Sequence, residues 1–177
     1  MTTLPSNTEH IAYARSLIRT IENYPQQGVS FRDITPLLAD GQAMRTVAEA
    51  LVSQAGTSFD VVAGVEARGF IFAGAAATVA GTGMIPLRKQ GKLPKPAHQV
   101  SFEKEYGHDV LEVSPELEAG MRVLLLDDIL ATGGTLKAGA ELVKRAGADV
   151  VSVGVVMELQ GLEGRAMMPQ TKALFSL

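Results

Sequence analysis

The apolar stretch Val123–Leu126 runs directly into two adjacent carboxylates, Asp127 and Asp128. A continuous apolar stretch of this kind, bounded by turn-forming residues, predicts a strand that is buried on both faces of a parallel sheet. Further strands are predicted at four places, namely Phe59–Val65, Gly83–Arg88, Val150–Met157 and Ala173–Leu177.

Helices are predicted where apolar residues recur at three- and four-residue spacing. The predicted helices run from Thr8 to about Asn23, from Asp40 to about Ala55 and from Thr135 to about Ala146, and a helix of small residues follows the turn at residues 66–70 and runs to about Ala80. Residues 24–40 contain two prolines and a glycine and are predicted to form a long irregular connection. Because strands and helices alternate through the middle of the chain, we expect an α/β fold whose central, mostly parallel sheet is flanked by helices.

Composition narrows the class of protein without identifying it. The chain has 177 residues, of which 46% are hydrophobic, and a formal net charge of -3. This length suits one domain, residues 1–177, and the charge gives no reason to expect binding to nucleic acid or membranes. Cysteine is absent, and no signal peptide or membrane-spanning stretch is evident, so a cytoplasmic protein is expected.

The predicted strand at Val123 and the helix after it carry candidate ligand-binding groups at the carboxyl edge of the predicted sheet. Asp127 and Asp128 follow the apolar stretch, where open α/β sheets bind their ligands. Residues 131–135 then supply hydroxyl groups, glycines and free backbone N–H groups at a helix N-terminus, which is the chemistry of an anion site. A ribose 5-phosphate fits this order of groups, although an Asp pair after a strand is often only a solvated turn. The spacing differs from the Walker and dinucleotide-binding loops.

Cationic residues follow two other predicted strands. Arg68 lies at the end of the strand that finishes at Val65, where its guanidinium could hold two phosphate oxygens or could simply pair with Glu66 on the surface. Residues 88–95 carry four basic side chains, which could serve a polyanionic substrate in a net acidic chain or form an ordinary solvated loop.

Four segments carry a resemblance to a known family. The stretch Val123–Thr135 resembles the motif that binds 5-phosphoribosyl 1-diphosphate (PRPP) in type I phosphoribosyltransferases. Residues 28–36 resemble the Gly-Val-x-Phe-Arg-Asp-Ile-Thr-Pro segment of the adenine-specific branch, although Gln27 replaces a proline just before it. Residues 64–70 resemble the diphosphate loop of these enzymes. Residues 105–107 match their Glu-Tyr-Gly, with Phe102 in place of the family's preceding tyrosine.

The resemblance implies a role for each matched residue. In the family, a hood over the purine stacks a phenylalanine on the base, which corresponds here to Phe31 beside Val29, Ser30 and Arg32. Glu105, followed by Tyr106, would assist proton loss from the base. The remaining substrate contacts implied by the resemblance fall on the diphosphate loop, the basic stretch and the PRPP motif, namely Glu66, Ala67, Arg68, Lys89, Asp127, Asp128, Ala131, Thr132, Gly133, Gly134 and Thr135. In many members a non-proline cis peptide occurs in the diphosphate loop, and we place it at Glu66–Ala67.

The implied fold is that of the type I phosphoribosyltransferases, with an N-terminal helix and hood over about residues 1–40, a core over about 41–177 and a flexible catalytic loop over about 89–106. The implied reaction converts adenine and PRPP to AMP and diphosphate, with Mg²⁺ carried mainly by the diphosphate, in a homodimer. Glu105, Arg68, Lys89, Asp127 and Asp128 would be the catalytic residues. Two alternatives remain open: another base, such as hypoxanthine, guanine, xanthine or orotate, and a PRPP-binding regulator without activity.

Overall fold

The computed structural model of the protein describes residues 7–103 and 108–177. The chain divides into two compact units, residues 1–49 and residues 50–177. The first unit contains α1 (Asn7–Ser16), β1 (Arg19–Glu22), β2 (Ser30–Asp33), α2 (Thr35–Ala39) and most of α3 (Gly41–Ala55). Strands β1 and β2 pair antiparallel.

The helix predicted from Thr8 to Asn23 is wrong in its second half. Helix α1 ends at Ser16, and residues 19–22 form β1 instead. Pairing with β2 gives this stretch a ladder of backbone hydrogen bonds, and Arg19 and Asp33 form an ion pair at 2.7 Å across it. Thr20 and Ile21 are β-branched, which favours a strand over a helix once a pairing partner is present.

The connection predicted over residues 24–40 is also more regular than expected. It contains β2 and the short helix α2, and the Tyr24–Pro25 peptide bond is cis. The predicted start of the next helix is confirmed, because Asp40 Oδ1 accepts a hydrogen bond from the backbone N–H of Ala43 at 2.8 Å. This carboxylate therefore caps α3.

The second unit is built on a seven-stranded sheet with the strand order β5-β6-β4-β3-β7-β8-β9. Strands β4, β3, β7, β8 and β9 are parallel neighbours, whereas β6 and β5 add an antiparallel edge. The elements are β3 (Val61–Val65), α4 (Gly69–Ala80), β4 (Gly83–Lys89), β5 (His98–Glu103), β6 (His108–Val113), β7 (Arg122–Leu130), α5 (Gly134–Arg145), β8 (Asp149–Glu158), α6 (Gly164–Met167) and β9 (Lys172–Ser176).

The sheet carries helices on both faces, which confirms the predicted α/β class. On one face, Leu136 and Leu142 of α5 join Leu125 and Val61 in the main hydrophobic core. On the other face, α4 approaches the sheet so closely that a Cβ at Gly64 would lie 2.6 Å from the Cβ of Ala73. Val123–Leu126 are fully buried, as expected for a central strand.

The segment predicted as a loop over residues 89–106 is partly a strand. Residues 98–103 form β5, which pairs with β6 along its whole length. The alternation of apolar and polar residues is limited to Val100–Glu103, which is the shortest length that such a strand signal can have, and the preceding stretch is basic and contains Pro and Gly. Helix α6 was not predicted, because four residues are too few to show a helical period.

The order of the strands fixes where a ligand can bind. After β3 the chain crosses through α4 to β4 on one side, and after β7 it crosses through α5 to β8 on the other side. The crossovers therefore diverge between the adjacent strands β3 and β7, and open α/β sheets form their ligand crevice at the carboxyl ends of such a strand pair.

Candidate active site

A cavity of about 280 Å³ opens at this crevice. It is lined by Glu66, Ala67, Arg68, Lys89, Phe102, Asp109, Leu111, Asp127, Asp128 and Thr135. The lining therefore combines the turn after β3, the end of β4, the β5–β6 edge, the carboxyl end of β7 and the first turn of α5. Seven of the residues predicted to bind substrate in the core meet in this one cavity.

Asp127 and Asp128 lie within β7 and are 8% and 3% exposed. Asp127 Oδ1 accepts the backbone N–H of Asp128 at 2.8 Å. Burial raises the pKa of the Asp127 carboxyl well above its usual range, and the neighbouring charge of Asp128 raises it further. Burial also raises the pKa of Asp128, although the guanidinium of Arg68 opposes this effect. The pair is therefore a costly arrangement that favours a ligand donating hydroxyl hydrogen bonds or bringing positive charge.

Arg68 faces the carboxylate pair. Its Nη2 lies 2.8 Å from Asp128 Oδ2, and its side chain remains 37% exposed. Asp128 Oδ2 accepts no hydrogen bond of good geometry from any residue that the structure describes. Arg68 therefore pairs with Asp128 instead of forming the alternative surface pair with Glu66. The Glu66 carboxylate is bound by Arg88, Lys92 and the backbone N–H of Lys89. The exposed guanidinium beside a buried carboxylate could meet an anionic ligand.

Gly69 explains how Arg68 comes so close to β7. A Cβ at this position would lie 2.9 Å from Asp127 Oδ1, 3.1 Å from the Leu126 carbonyl oxygen and 3.2 Å from the Asp127 Cα. The first distance is shorter than real Cβ contacts and the two backbone distances are tighter than most, so a side chain here would push the first turn of α4 away from the carboxylate strand.

Glu66 organises the opposite wall of the cavity. Its Oε2 accepts hydrogen bonds from Arg88 Nε at 3.1 Å and from the backbone N–H of Lys89 at 2.8 Å, and its Oε1 pairs with Lys92 Nζ at 2.8 Å. Burial alone would raise the pKa of this carboxyl, but the three donors outweigh burial and lower it to about 2. The peptide bond between Glu66 and Ala67 is cis, as predicted.

Two cavity residues were missed by the sequence analysis. Asp109 lies 3.9 Å from Lys89 Nζ and draws that side chain over the cavity, and Leu111 lies beside it on β6. Only the antiparallel pairing of β6 with β4 brings them to the site, and no local signal in the sequence announces that pairing. Phe102, which replaces the family's tyrosine, also lines the cavity.

The predicted anion site, residues 131–135, follows β7 directly and ends in the first turn of α5. We refer to these five residues as the phosphate loop. Gly133 is the N-cap of α5 with a φ of 86°, and no side chain caps the helix. Its N-terminal N–H groups therefore lack the side-chain partner that most helices provide. Thr135 faces the cavity, whereas Ala131, Thr132, Gly133 and Gly134 do not line it.

Known proteins resemble this chain over most of its length. The phosphoribosyl transferase domain family matches residues 32–170. The adenine phosphoribosyltransferase of Saccharopolyspora erythraea is 52% identical over 157 residues, which cover 88% of this chain and 85% of that protein. The chain belongs to the adenine phosphoribosyltransferase family.

Solved structures agree with this assignment. The adenine phosphoribosyltransferase of Thermoanaerobacter pseudethanolicus superimposes with a TM-score of 0.88 at 39% identity, covering 94% of this chain and 99% of that one. The adenine phosphoribosyltransferase of Saccharomyces cerevisiae, solved with adenine and an imino-altritol bisphosphate, gives a TM-score of 0.89 at 31% identity with the same coverage.

The hood residues expected in an adenine phosphoribosyltransferase lie in the first unit. Phe31 and Arg32 lie on β2, and the ring of Phe31 packs edge to face against Tyr24 at 5.3 Å between centroids. Ser30 Oγ donates to Glu22 at 2.5 Å, and Val29 accepts a backbone hydrogen bond from Tyr24. β2 therefore has an ordered backbone, and these side-chain contacts remain within the first unit.

Glu105 and Tyr106 lie outside the described residues. Within the described part of the chain, no group of three or more His, Cys, Asp and Glu residues could hold a metal ion. Over residues 7–103 and 108–177, no helix is long and apolar enough to cross a bilayer.

Replacing Asp127 by asparagine should raise the thermal midpoint of the ligand-free protein at about pH 8. Burial raises the pKa of Asp127 in the folded state above its value in the unfolded state. At pH values between these two pKa values, the folded chain therefore binds more protons than the unfolded chain. The free energy of unfolding of the parent therefore falls as pH rises through this window. Asparagine does not titrate. The gain in stability of the variant over the parent should therefore be largest at pH values above the raised pKa and should vanish as the pH falls to the ordinary aspartate pKa.

Thermal unfolding at a series of pH values would measure this effect. Asp149→Asn, at the exposed start of β8, is the matched control and should leave the pH dependence unchanged. A gain of equal size at every pH would contradict the assignment, because it would arise from something other than the buried charge.

Proposed function

We propose that this chain transfers the 5-phosphoribosyl group from PRPP to adenine, giving AMP and diphosphate in purine salvage. One observation carries the proposal: in a member of the adenine phosphoribosyltransferase family, a single cavity gathers Arg68, Lys89, Asp127, Asp128 and Thr135. The cations suit the diphosphate of PRPP, the carboxylates suit its ribose hydroxyls, and Thr135 belongs to the phosphate loop.

In the proposed reaction, N9 of adenine forms a bond to the anomeric carbon as the bond from that carbon to the diphosphate breaks. The anomeric carbon passes through an oxocarbenium-like state, as in other glycosyl transfers. Asp127 and Asp128 hold the ribose hydroxyls and stabilise the positive charge that develops on the ring. Arg68 and Lys89 stabilise the negative charge that develops on the leaving diphosphate.

Mg²⁺ would accompany the diphosphate. Mg²⁺ usually keeps several waters and binds substrate phosphates with few protein ligands, which suits a metal held mainly by the diphosphate of PRPP. When bound, it would neutralise charge on the leaving group. We also propose a cytoplasmic homodimer.

Base recognition is proposed for β2 and for the segment around Glu105. Phe31 would stack on adenine, and backbone groups of Val29, Ser30 and Arg32 would read its edge. Glu105, followed by Tyr106, would accept the N7 proton that adenine loses when N9 attacks. Closure of the segment from Lys89 to Tyr106 would keep water away from the activated sugar.

An AMP-forming assay that compares adenine, hypoxanthine, guanine and orotate tests the proposal. Adenine should be consumed with PRPP and the other bases should be turned over far more slowly. Rapid turnover of hypoxanthine without turnover of adenine would assign a different base. Binding of PRPP without formation of any nucleotide would favour a regulator instead.

Replacing Glu105 by alanine should lower kcat by about 100-fold, the usual contribution of a general acid or base, while PRPP affinity changes little. The side chain is proposed to act on the base, so a loss confined to kcat is expected. Steady-state kinetics and PRPP binding would separate the two. The matched control is Glu103→Ala two residues earlier on β5. Equal losses in kcat and PRPP affinity would contradict the base-directed role.

A further inference from the structure

Two glycines from different segments meet at the phosphate loop. A Cβ at Gly164, the first residue of α6, would lie 2.1 Å from the carbonyl oxygen of Ala131 and 2.9 Å from Leu130 side-chain atoms. In the other direction, a Cβ at Gly133 would lie 3.0 Å from the carbonyl oxygen of Gly164. The backbone of α6 therefore touches the backbone of the phosphate loop, and a side chain at position 164 would force the two apart.

The segment that carries Gly164 is fixed to the sheet on both sides. The guanidinium of Arg165 forms an ion pair with Glu158 at the end of β8 and also donates to the carbonyl oxygen of Thr171, just before β9. The backbone N–H of Leu159 donates to the Leu130 carbonyl oxygen at 3.0 Å, at the end of β7. α6 is thus an anchored support and not a loose loop end.

We propose that Gly164 is a positioning residue for the 5-phosphate of the substrate, an inference that rests on the proposed function. It touches no reacting atom. Its missing side chain lets α6 support the Ala131 peptide, and this support sets the direction of the N–H groups of the phosphate loop. Groups that bind an anion through backbone N–H donors need placement to within about 0.5 Å. The ligand class is a phosphate monoester on a ribose.

The contacts of Gly164 make its effect selective. The nearest atoms that an added Cβ would meet belong to Ala131 and Leu130, at the phosphate end of the site. The diphosphate end is built from the turn after β3 and the end of β4, where Arg68 and Lys89 lie. A disturbance at Gly164 should therefore weaken ligands that carry a 5-phosphate and leave the binding of free diphosphate unchanged.

The test compares the binding of AMP and of diphosphate to Gly164→Ala by calorimetry, together with steady-state kinetics. We expect kcat/KM for PRPP to fall about 100-fold, mostly through KM, as a displacement near 1 Å commonly costs. The dissociation constant of AMP should rise by about the same factor, since it shares the 5-phosphate. The dissociation constant of diphosphate should stay unchanged.

Two further variants complete the experiment. Gly74→Ala in α4 is the matched control, because a Cβ there meets no atom within 4 Å, and it should behave like the parent. Arg165→Gln keeps Gly164 but releases α6 from Glu158. It should therefore also weaken AMP binding and leave diphosphate binding unchanged, but the loss of AMP affinity should be smaller than in Gly164→Ala. If Gly164→Ala does not fold, Arg165→Gln decides the matter alone.

Each outcome has one meaning. Selective loss of AMP binding supports the inference. Equal loss of AMP and diphosphate binding, or no loss of AMP binding in either variant, overturns it while the proposed function stands. If the parent protein itself bound no AMP and formed none from adenine and PRPP, the proposed function would fail and this inference with it.

Discussion

Replacing Asp127 and Asp128 together by asparagine should lower kcat by at least about 1000-fold while the fold remains intact. Both side chains are buried at the carboxyl end of β7, and both line the cavity. Asparagine has nearly the same shape but carries no negative charge to stabilise an oxocarbenium-like ribose. The AMP-forming assay measures the loss, and circular dichroism with thermal unfolding checks the fold.

The matched control for this double variant is Asp149→Asn, which changes an exposed aspartate outside the cavity by the same chemistry. It should retain parental turnover. A double variant whose activity stayed within a few-fold of the parent would remove the ribose and charge-stabilising roles from both aspartates. A double variant that lost its folded structure would instead assign them a structural role.

Replacing Arg68 by glutamine should lower kcat/KM for PRPP by about 100-fold or more, because a charged, two-pronged donor to phosphate oxygens is lost. The effect should fall on ligands that carry a diphosphate. Affinity for AMP, which lacks this group, should change far less. Loss of the guanidinium should also raise the pKa of Asp128 further, because Arg68 now opposes the effect of burial.

Arg145→Gln is the control for Arg68, since Arg145 is exposed, lies outside the cavity, and binds Glu141 and the carbonyl oxygen of Gln99. Arg68→Lys adds a second comparison: it keeps the charge but not the planar fork, so it should fall between the parent and the glutamine variant. Equal weakening of AMP and PRPP binding in Arg68→Gln would contradict its assignment to the diphosphate.

The core of the fold could be predicted because its signal is local. Val123–Leu126 must be buried on both faces, and the helix that follows shows its own period, so β7 and α5 are visible in the sequence. β1 could not be predicted in the same way. Arg19–Glu22 become a strand only because residues 30–33 return to pair with them, and their apolar spacing also continues that of the preceding helix.

The residues of the site also differ in whether a local sequence pattern could predict them. Arg68, Asp127 and Thr135 follow strands or begin helices, so the rule that parallel strands present their carboxyl ends at one edge was enough to group them. Asp109 reaches the cavity only because β6 pairs antiparallel with β4. The close approaches at Gly69 and Gly164 depend on distances between backbones, which no residue pattern reports.

The contact at Gly69 bears on how this site could be redesigned. Because Gly69 packs directly against Asp127, the turn after β3 and the carboxyl end of β7 share one interface, and a side chain at position 69 would disturb both. Gly69 should therefore be kept in any library that varies the turn at residues 66–68. A side chain at position 69 has no simple compensating substitution on β7, because two of the three nearest atoms belong to the β7 backbone.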